Sequence, residues 1–172
     1  MENLEDWRKA CKMSAQAREY GLKLIKKGSS LLEVSDKIEK KIFDLGGRPA
    51  FPVQLSCDHL AAHYCADPDD QTVFDNQLVC LDLGVHVNGA IGDNAGSVDL
   101  SGEHSDIVKA SKKALEEASK ILQVGIPINE IGRTIQETIQ SFNLSPIKNL
   151  SGHGLDLYQI HTSPSIPNFD NN

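Results

Sequence analysis

Two aspartates flank an Asn-Gly pair in the stretch LDLGVHVNGAIGDNAG, which runs from Leu81 to Gly96. If Asn88-Gly89 is a two-residue hairpin turn, Val87 pairs with Ala90 and Gly84 falls opposite Asp93. Asp82 lies two residues from Gly84, so Asp82 and Asp93 share a face as diagonal neighbours, with backbones roughly 7 Å apart. Their neighbours Leu81, Leu83, Val85, Ile91 and Ala95 are apolar enough to imply partial burial. Two converging carboxylates removed from water must share a proton or hold a cation. A solvent-facing strand, where carboxylates are ordinary, is the alternative on spacing alone.

Oxygen donors on a rigid hairpin suit Mn, Fe, Co or Zn once imidazole joins them. The candidate histidines are His63 in LAAHY, His153 in SGHG and His161 in YQIH. Glycines on both sides of His153 permit close approach of backbone and ligand. His86 has the parity of Asp82 but reads as a cover for the strand end, and His59 and His104 read as loop or surface residues. Cys11, Cys57, Cys65 and Cys80 have no CxxC spacing and read as reduced, small hydrophobes. A zinc site from Cys57, Cys65 and His59 or His63 matches no standard spacing and is set aside.

The elements that must position these residues follow from periodicity. Leu4, Trp7, Cys11, Leu22 and Ile25 mark a helix that stops at Gly28. Ser30 to Glu33 reads as a capping box, followed by Leu31, Val34, Ile38 and Ile42 on one face and Gly46-Gly47 as the stop. Arg48 to His63, with Pro49 and Pro52, reads as an extended strand, and Asp67 to Asp70 as a loop. Leu78 to Val87 and Ala90 to Leu100 form the hairpin. Ile107, Ala110, Ala114, Ala118 and Ile121 mark a third helix ending at Gly125, and Ile128, Ile131, Ile135, Ile139 and Phe142 a fourth. Gly125 lies 97 positions after Gly28, and the same offset superimposes Glu33 on Glu130, Val34 on Ile131, Ile38 on Ile135, Ile42 on Ile139 and Pro49 on Pro146. This favours a duplicated helix-helix-strand unit, residues 1–100 and 101–172, whose first copy is completed by the aspartate hairpin and whose second stops at Asn172 soon after its first extended segment.

The 172 residues, 40% hydrophobic and 24% charged, fit one compact domain or a large part of a bigger one. A net charge of −7, without a run of Lys and Arg longer than a pair, opposes binding to nucleic-acid phosphates. No segment approaches the ~18 apolar residues of a membrane span, and MENLEDWRKA lacks a signal-peptide core. A soluble cytoplasmic protein is expected.

Together, AFPVQLSCDHLAAHY, LVCLDLGVHVNGAIGDNAG, IKNLSGHGLDLYQIH and the final SIPN resemble the type II methionine aminopeptidases, the archaeal members most closely. Type I enzymes and prolidases share the aspartate hairpin, whereas AAHY and YQIH point to type II. The resemblance implies an α+β, pita-bread fold in which two related halves enclose two divalent metal ions (Co, Mn, Fe or Zn). Asp82 is then implied to bind one ion in bidentate fashion, Asp93 to bridge both, and His153 to be the histidine ligand. His63 is implied to be the catalytic histidine near the scissile peptide, His161 a second substrate-contacting histidine, and Phe51 part of the methionine pocket. The implied reaction removes the N-terminal methionine of nascent polypeptides whose second residue is small, by a cytoplasmic monomer close to the ribosome.

Two family ligands, both glutamates, have no counterpart before Asn172, and Asp58 stands where the family commonly has asparagine. The expectation is therefore an inactive fragment that binds metal weakly and exposes an unfinished, aggregation-prone sheet edge. The alternatives are a non-catalytic pita-bread binding protein and an Xaa-Pro dipeptidase.

Overall fold

The computed structural model describes residues 4–171. Its elements are α1 (Leu4–Leu24), α2 (Leu31–Asp44), β1 (Arg48–Cys57), β2 (Leu78–Val87), β3 (Ala90–Asp99), α3 (Ser105–Ile121), α4 (Ile128–Gln140), β4 (Ser151–Asp156) and β5 (Gln159–Pro167). Strands β1, β2 and β3 form one antiparallel sheet, and β4 and β5 a second of two strands. The chain divides into two compact units, residues 1–103 with 156–160, and residues 104–155 with 161–172.

In the first unit, α2 follows its sequence signals. The Ser30 hydroxyl accepts a hydrogen bond from the Glu33 amide at 3.3 Å, capping the first turn. Leu31, Val34, Ile38 and Ile42 are buried, and Gly46 ends the helix region at φ 88°. They meet Val79, Leu81, Leu83 and Val85 of β2, each fully buried, with Leu55 of β1 and Phe74 in the same core. Removing each such aliphatic side chain from water contributes roughly 1.5–3 kcal/mol at most.

Helix α1 departs from the expected stripe. Its buried face is Asp6, Ala10, Ser14, Ala17 and Gly21, whereas Leu4 and Cys11 are exposed. The cause is proximity: a Cβ built on Gly92 of β3 would lie 2.6 Å from the Ala10 backbone. Small residues let α1 lie almost directly on the sheet, so apolar periodicity misses the contact.

The extended strand expected from Arg48 to His63 ends at Cys57. Asp58 (φ 52°) and His63 (φ 68°) both take left-handed backbone conformations, and the chain folds back so that Cys65 bridges Gln54. A strand cannot continue through such residues.

In the second unit, the ends of α1 and α3, Leu24 and Ile121, lie 97 positions apart, as do the starts of α2 and α4, Leu31 and Ile128. Gly28 (φ 84°) and Gly125 (φ 87°) turn the chain alike, and so do Gly46 (φ 88°) and Asn143 (φ 58°). The correspondence stops there, because Pro49 lies inside β1 but Pro146 precedes β4. Helix α3 buries Ala110, Ala114 and Ala118, while Ile107 is exposed. Arg133 of α4 holds Asp170 at 2.8 Å. Among the described residues, no helix is long and apolar enough to cross a membrane.

Candidate functional site

The hairpin has the register that its turn requires. Asn88 (φ 51°) and Gly89 (φ 92°) form the turn, Val87 pairs with Ala90, Gly84 with Asp93, and Asp82 with Ala95. Asp82 and Asp93 are therefore diagonal on one face, both half-buried, while Leu81, Leu83 and Val85 fill the core behind them. On the neighbouring strand Phe51 pairs with Gly84 and Gln54 with Asp82. A Cβ on Gly84 would overlap the Phe51 ring, which places that ring over the aspartate face.

Helix α1 anchors the hairpin from behind. The Asn88 side-chain amide donates to Asp6 at 2.9 Å, and the Arg18 guanidinium donates to the Asn94 side chain at 2.6 Å and the Ala95 carbonyl at 3.3 Å. The turn and the residues after Asp93 are fixed by these contacts, none of which was legible from periodicity.

His63 is exposed, on the loop that returns along β1. A left-handed backbone costs a residue with a Cβ on the order of 1 kcal/mol, so neighbouring bonds must hold it. Its amide donates to the Gln54 side-chain oxygen at 3.2 Å. Next to it, the Tyr64 carbonyl accepts from the Leu55 amide at 2.9 Å, and the Tyr64 amide donates to the Ser56 hydroxyl at 3.3 Å. Asp58, at the other end of the loop, accepts from the Leu78 amide and donates its own amide to the Leu78 carbonyl, each at 2.9 Å. Asparagine at this position would supply the same acceptor and the same tolerance of positive φ.

Cys57, Cys65 and Cys80 carry free thiols whose pKa is raised chiefly by burial, with carboxylates adding to the effect; for Cys80 that carboxylate is Asp82.

His86 meets Tyr158 edge to face at 5.5 Å between ring centroids, and the Tyr158 amide donates to the Gly89 carbonyl at 2.9 Å. With Pro49, Ala50, Ile91 and Ile160 they line a small cavity of about 120 Å³. Tyr158 is thus part of the hairpin's surroundings, and its positive φ of 56° is a signal that the sequence does not carry.

In the second unit, the His153 and His161 rings lie edge to face at 4.3 Å on β4 and β5. A Cβ on Gly154 would strike the Ser163 backbone, so the glycine after His153 serves close strand packing. The structure therefore gathers Asp82, Asp93 and Phe51 on one sheet face with His63 beside it, and separately pairs His153 with His161.

Among the described residues, no group of three or more His, Cys, Asp and Glu gathers as a metal cage. The hairpin pair is a suitable partial donor set, two half-buried carboxylates on one sheet face whose oxygens suit a divalent cation. In donor chemistry these residues fit a divalent ion.

The sequence profile of metallopeptidase family M24 matches residues 5–172. The chain belongs to metallopeptidase family M24. Among its relatives in the family, methionine aminopeptidase of Methanocaldococcus jannaschii is 45% identical over 169 residues, covering 98% of this chain and 58% of that protein. Methionine aminopeptidase of Thermococcus onnurineus is 41% identical over 169 residues, covering 98% of this chain and 57% of that protein. The chain thus spans a little over half the length of these M24 relatives. The crystal structure of methionine aminopeptidase from Thermotoga maritima superimposes with a TM-score of 0.88 at 27% identity, over 97% of this chain and 71% of that one. The α+β architecture is accordingly the pita-bread fold of the M24 peptidases.

Proposed function

We propose that this M24 chain carries part of the dinuclear metal site of a methionine aminopeptidase, which removes the N-terminal methionine from polypeptides. The observation that carries this reading is the register of the aspartate hairpin, with Asp82 and Asp93 on one half-buried face beneath Phe51. Asp82, Asp93 and His153 are assigned as ligands to two divalent ions, of which Co, Mn, Fe and Zn suit such oxygen and imidazole donors. Bound divalent ions supply Lewis acidity, making water acidic enough to deprotonate near neutral pH and stabilising a developing oxyanion.

The chain's own residues supply the rest. Phe51 offers an apolar ring to the methionine side chain, and His63 a hydrogen bond to the substrate carbonyl or to the oxyanion that replaces it. His161 contacts the substrate near His153. Residues 1–100 and 101–172 are assigned as two copies of one ancestral unit, the second beginning at the loop before α3.

Calorimetric titration with Mn(II) or Co(II) tests the ligand assignment. Binding that disappears in Asp82→Ala supports it, and equal binding by wild type and variant overturns it. An assay of Met-Ala-Ser against an Xaa-Pro dipeptide tests the substrate, with turnover of the second alone assigning the chain to dipeptidase chemistry instead.

A further inference from the structure

The segment before Asp82 in the chain contains a set of hydrogen bonds that the metal assignment leaves unexplained. Tyr64 follows His63 directly, and its phenol donates to an Asp70 carboxylate oxygen at 2.7 Å. The other Asp70 oxygen accepts from the Thr72 amide, also at 2.7 Å, so the carboxylate is itself fixed in a turn. On the opposite side Gln54 takes the His63 amide, and Gln54 is the residue of β1 that stands opposite Asp82. A strained φ of 68° at His63 thus lies between two side-chain anchors, one tied to the sheet and one to the loop beyond.

We propose that Gln54, Tyr64 and Asp70 form a bracket that holds His63 in its left-handed backbone conformation beside the strand position opposite Asp82. The bracket residues are positioning residues: they touch the His63 backbone or its neighbour. Their importance to peptide cleavage rests on the role given to His63 above, whereas their effect on the His63 backbone does not. The backbone bond from the Leu55 amide to the Tyr64 carbonyl helps keep the loop near β1. The side-chain anchors are what select the positive φ, because an unanchored histidine relaxes to negative φ. Asp70 contributes with its charge, since a phenol hydrogen bond to a carboxylate is stronger than one to a neutral acceptor.

The test uses the whole 172-residue chain, isotopically labelled, in wild-type form and as Tyr64→Phe, Gln54→Ala, Asp70→Ala and Asp70→Asn. A positive φ brings a residue's amide hydrogen close to its own Hα, giving a strong intraresidue nuclear Overhauser effect at His63. Tyr64→Phe, Gln54→Ala and Asp70→Ala are expected to weaken that signal and to speed His63 amide exchange about tenfold, the net worth of roughly one hydrogen bond. Asp70→Asn retains an acceptor for the phenol and is expected to restore the signal at least in part. Mn(II) binding measured on the same samples should be unchanged, because no bracket residue is an assigned ligand. Persistence of the His63 signal and exchange rate in both Tyr64→Phe and Gln54→Ala overturns the bracket. Should Asp70→Ala unfold, those two milder variants still decide the matter. A wild-type chain that binds no Mn(II) yet loses the signal in the variants leaves the bracket standing, because the effect on the His63 backbone does not depend on the metal assignment.

Discussion

The phenol of Tyr64 carries a pH signature of its bond to Asp70. That hydrogen bond, with some burial and the Asp70 charge, raises the Tyr64 pKa above its ordinary value of about 10. Hydrogen bonds from Thr72 and then from Tyr64 hold the Asp70 carboxyl below the usual carboxylate range. The signs follow from linkage. The Tyr64 contribution is complete below the ordinary tyrosine pKa and disappears as pH rises through the raised folded value. The Asp70 contribution is complete above its unfolded pKa and disappears as pH falls through the depressed folded value. A pH titration of ring-labelled tyrosine should therefore show Tyr64 ionising above pH ~10, and Asp70→Ala should bring it back toward that value. An unshifted Tyr64 in wild type would mean that the phenol and Asp70 do not pair in solution.

Among the elements, α2 and β3 give the sharpest expectations. Ser30→Ala removes the only side-chain cap that α2 has in the described residues and should cost roughly 1 kcal/mol of stability in urea unfolding. Gly92→Ala places a methyl group against the Ala10 backbone, where no flexible side chain can give way, and should cost about 1–3 kcal/mol. A wild-type midpoint in Gly92→Ala would mean that α1 stands further from β3 than described. These two cases also show what a sequence does and does not reveal. The cap, the Asn-Gly turn and the alternation of β2 are local signals, so α2, the hairpin and the shared face of Asp82 and Asp93 could be read directly. The α1 contact was hidden because alanine, serine and glycine carry little hydrophobic signal even where they are fully enclosed. The loop carrying His63 reads as strand in the sequence because a positive φ at a non-glycine residue is imposed by tertiary hydrogen bonds. The pairing of His153 with His161 depends on the register of β4 and β5, which no turn of the Asn-Gly kind announces.

For the molecule as a whole, the distribution of buried side chains implies unequal stability. The largest fully buried ones, including Phe74, Leu31, Ile38 and Leu81, all belong to the first unit, whereas among the described residues of the second the buried apolar side chains are those of three alanines, Ile131 and Pro146. Local opening should therefore be easier in the second unit. Hydrogen exchange read by mass spectrometry is expected to show lasting protection in β2 and α2 and earlier exchange in α3 and α4. Equal protection throughout would contradict this ranking. The five residues from Asp156 to Ile160 bear on how the protein can be divided in the laboratory. They belong to the first unit although the residues on both sides belong to the second, and Tyr158 among them covers Gly89 and faces His86. A gene fragment encoding residues 1–103 would leave the Asn-Gly turn without this cover, so the smallest faithful piece of the first unit is not a continuous stretch of sequence. Supplying residues 156–160 as a separate peptide, or splicing them after residue 103 through a glycine linker, should raise the melting temperature of that fragment, and a Tyr158→Ala version should not.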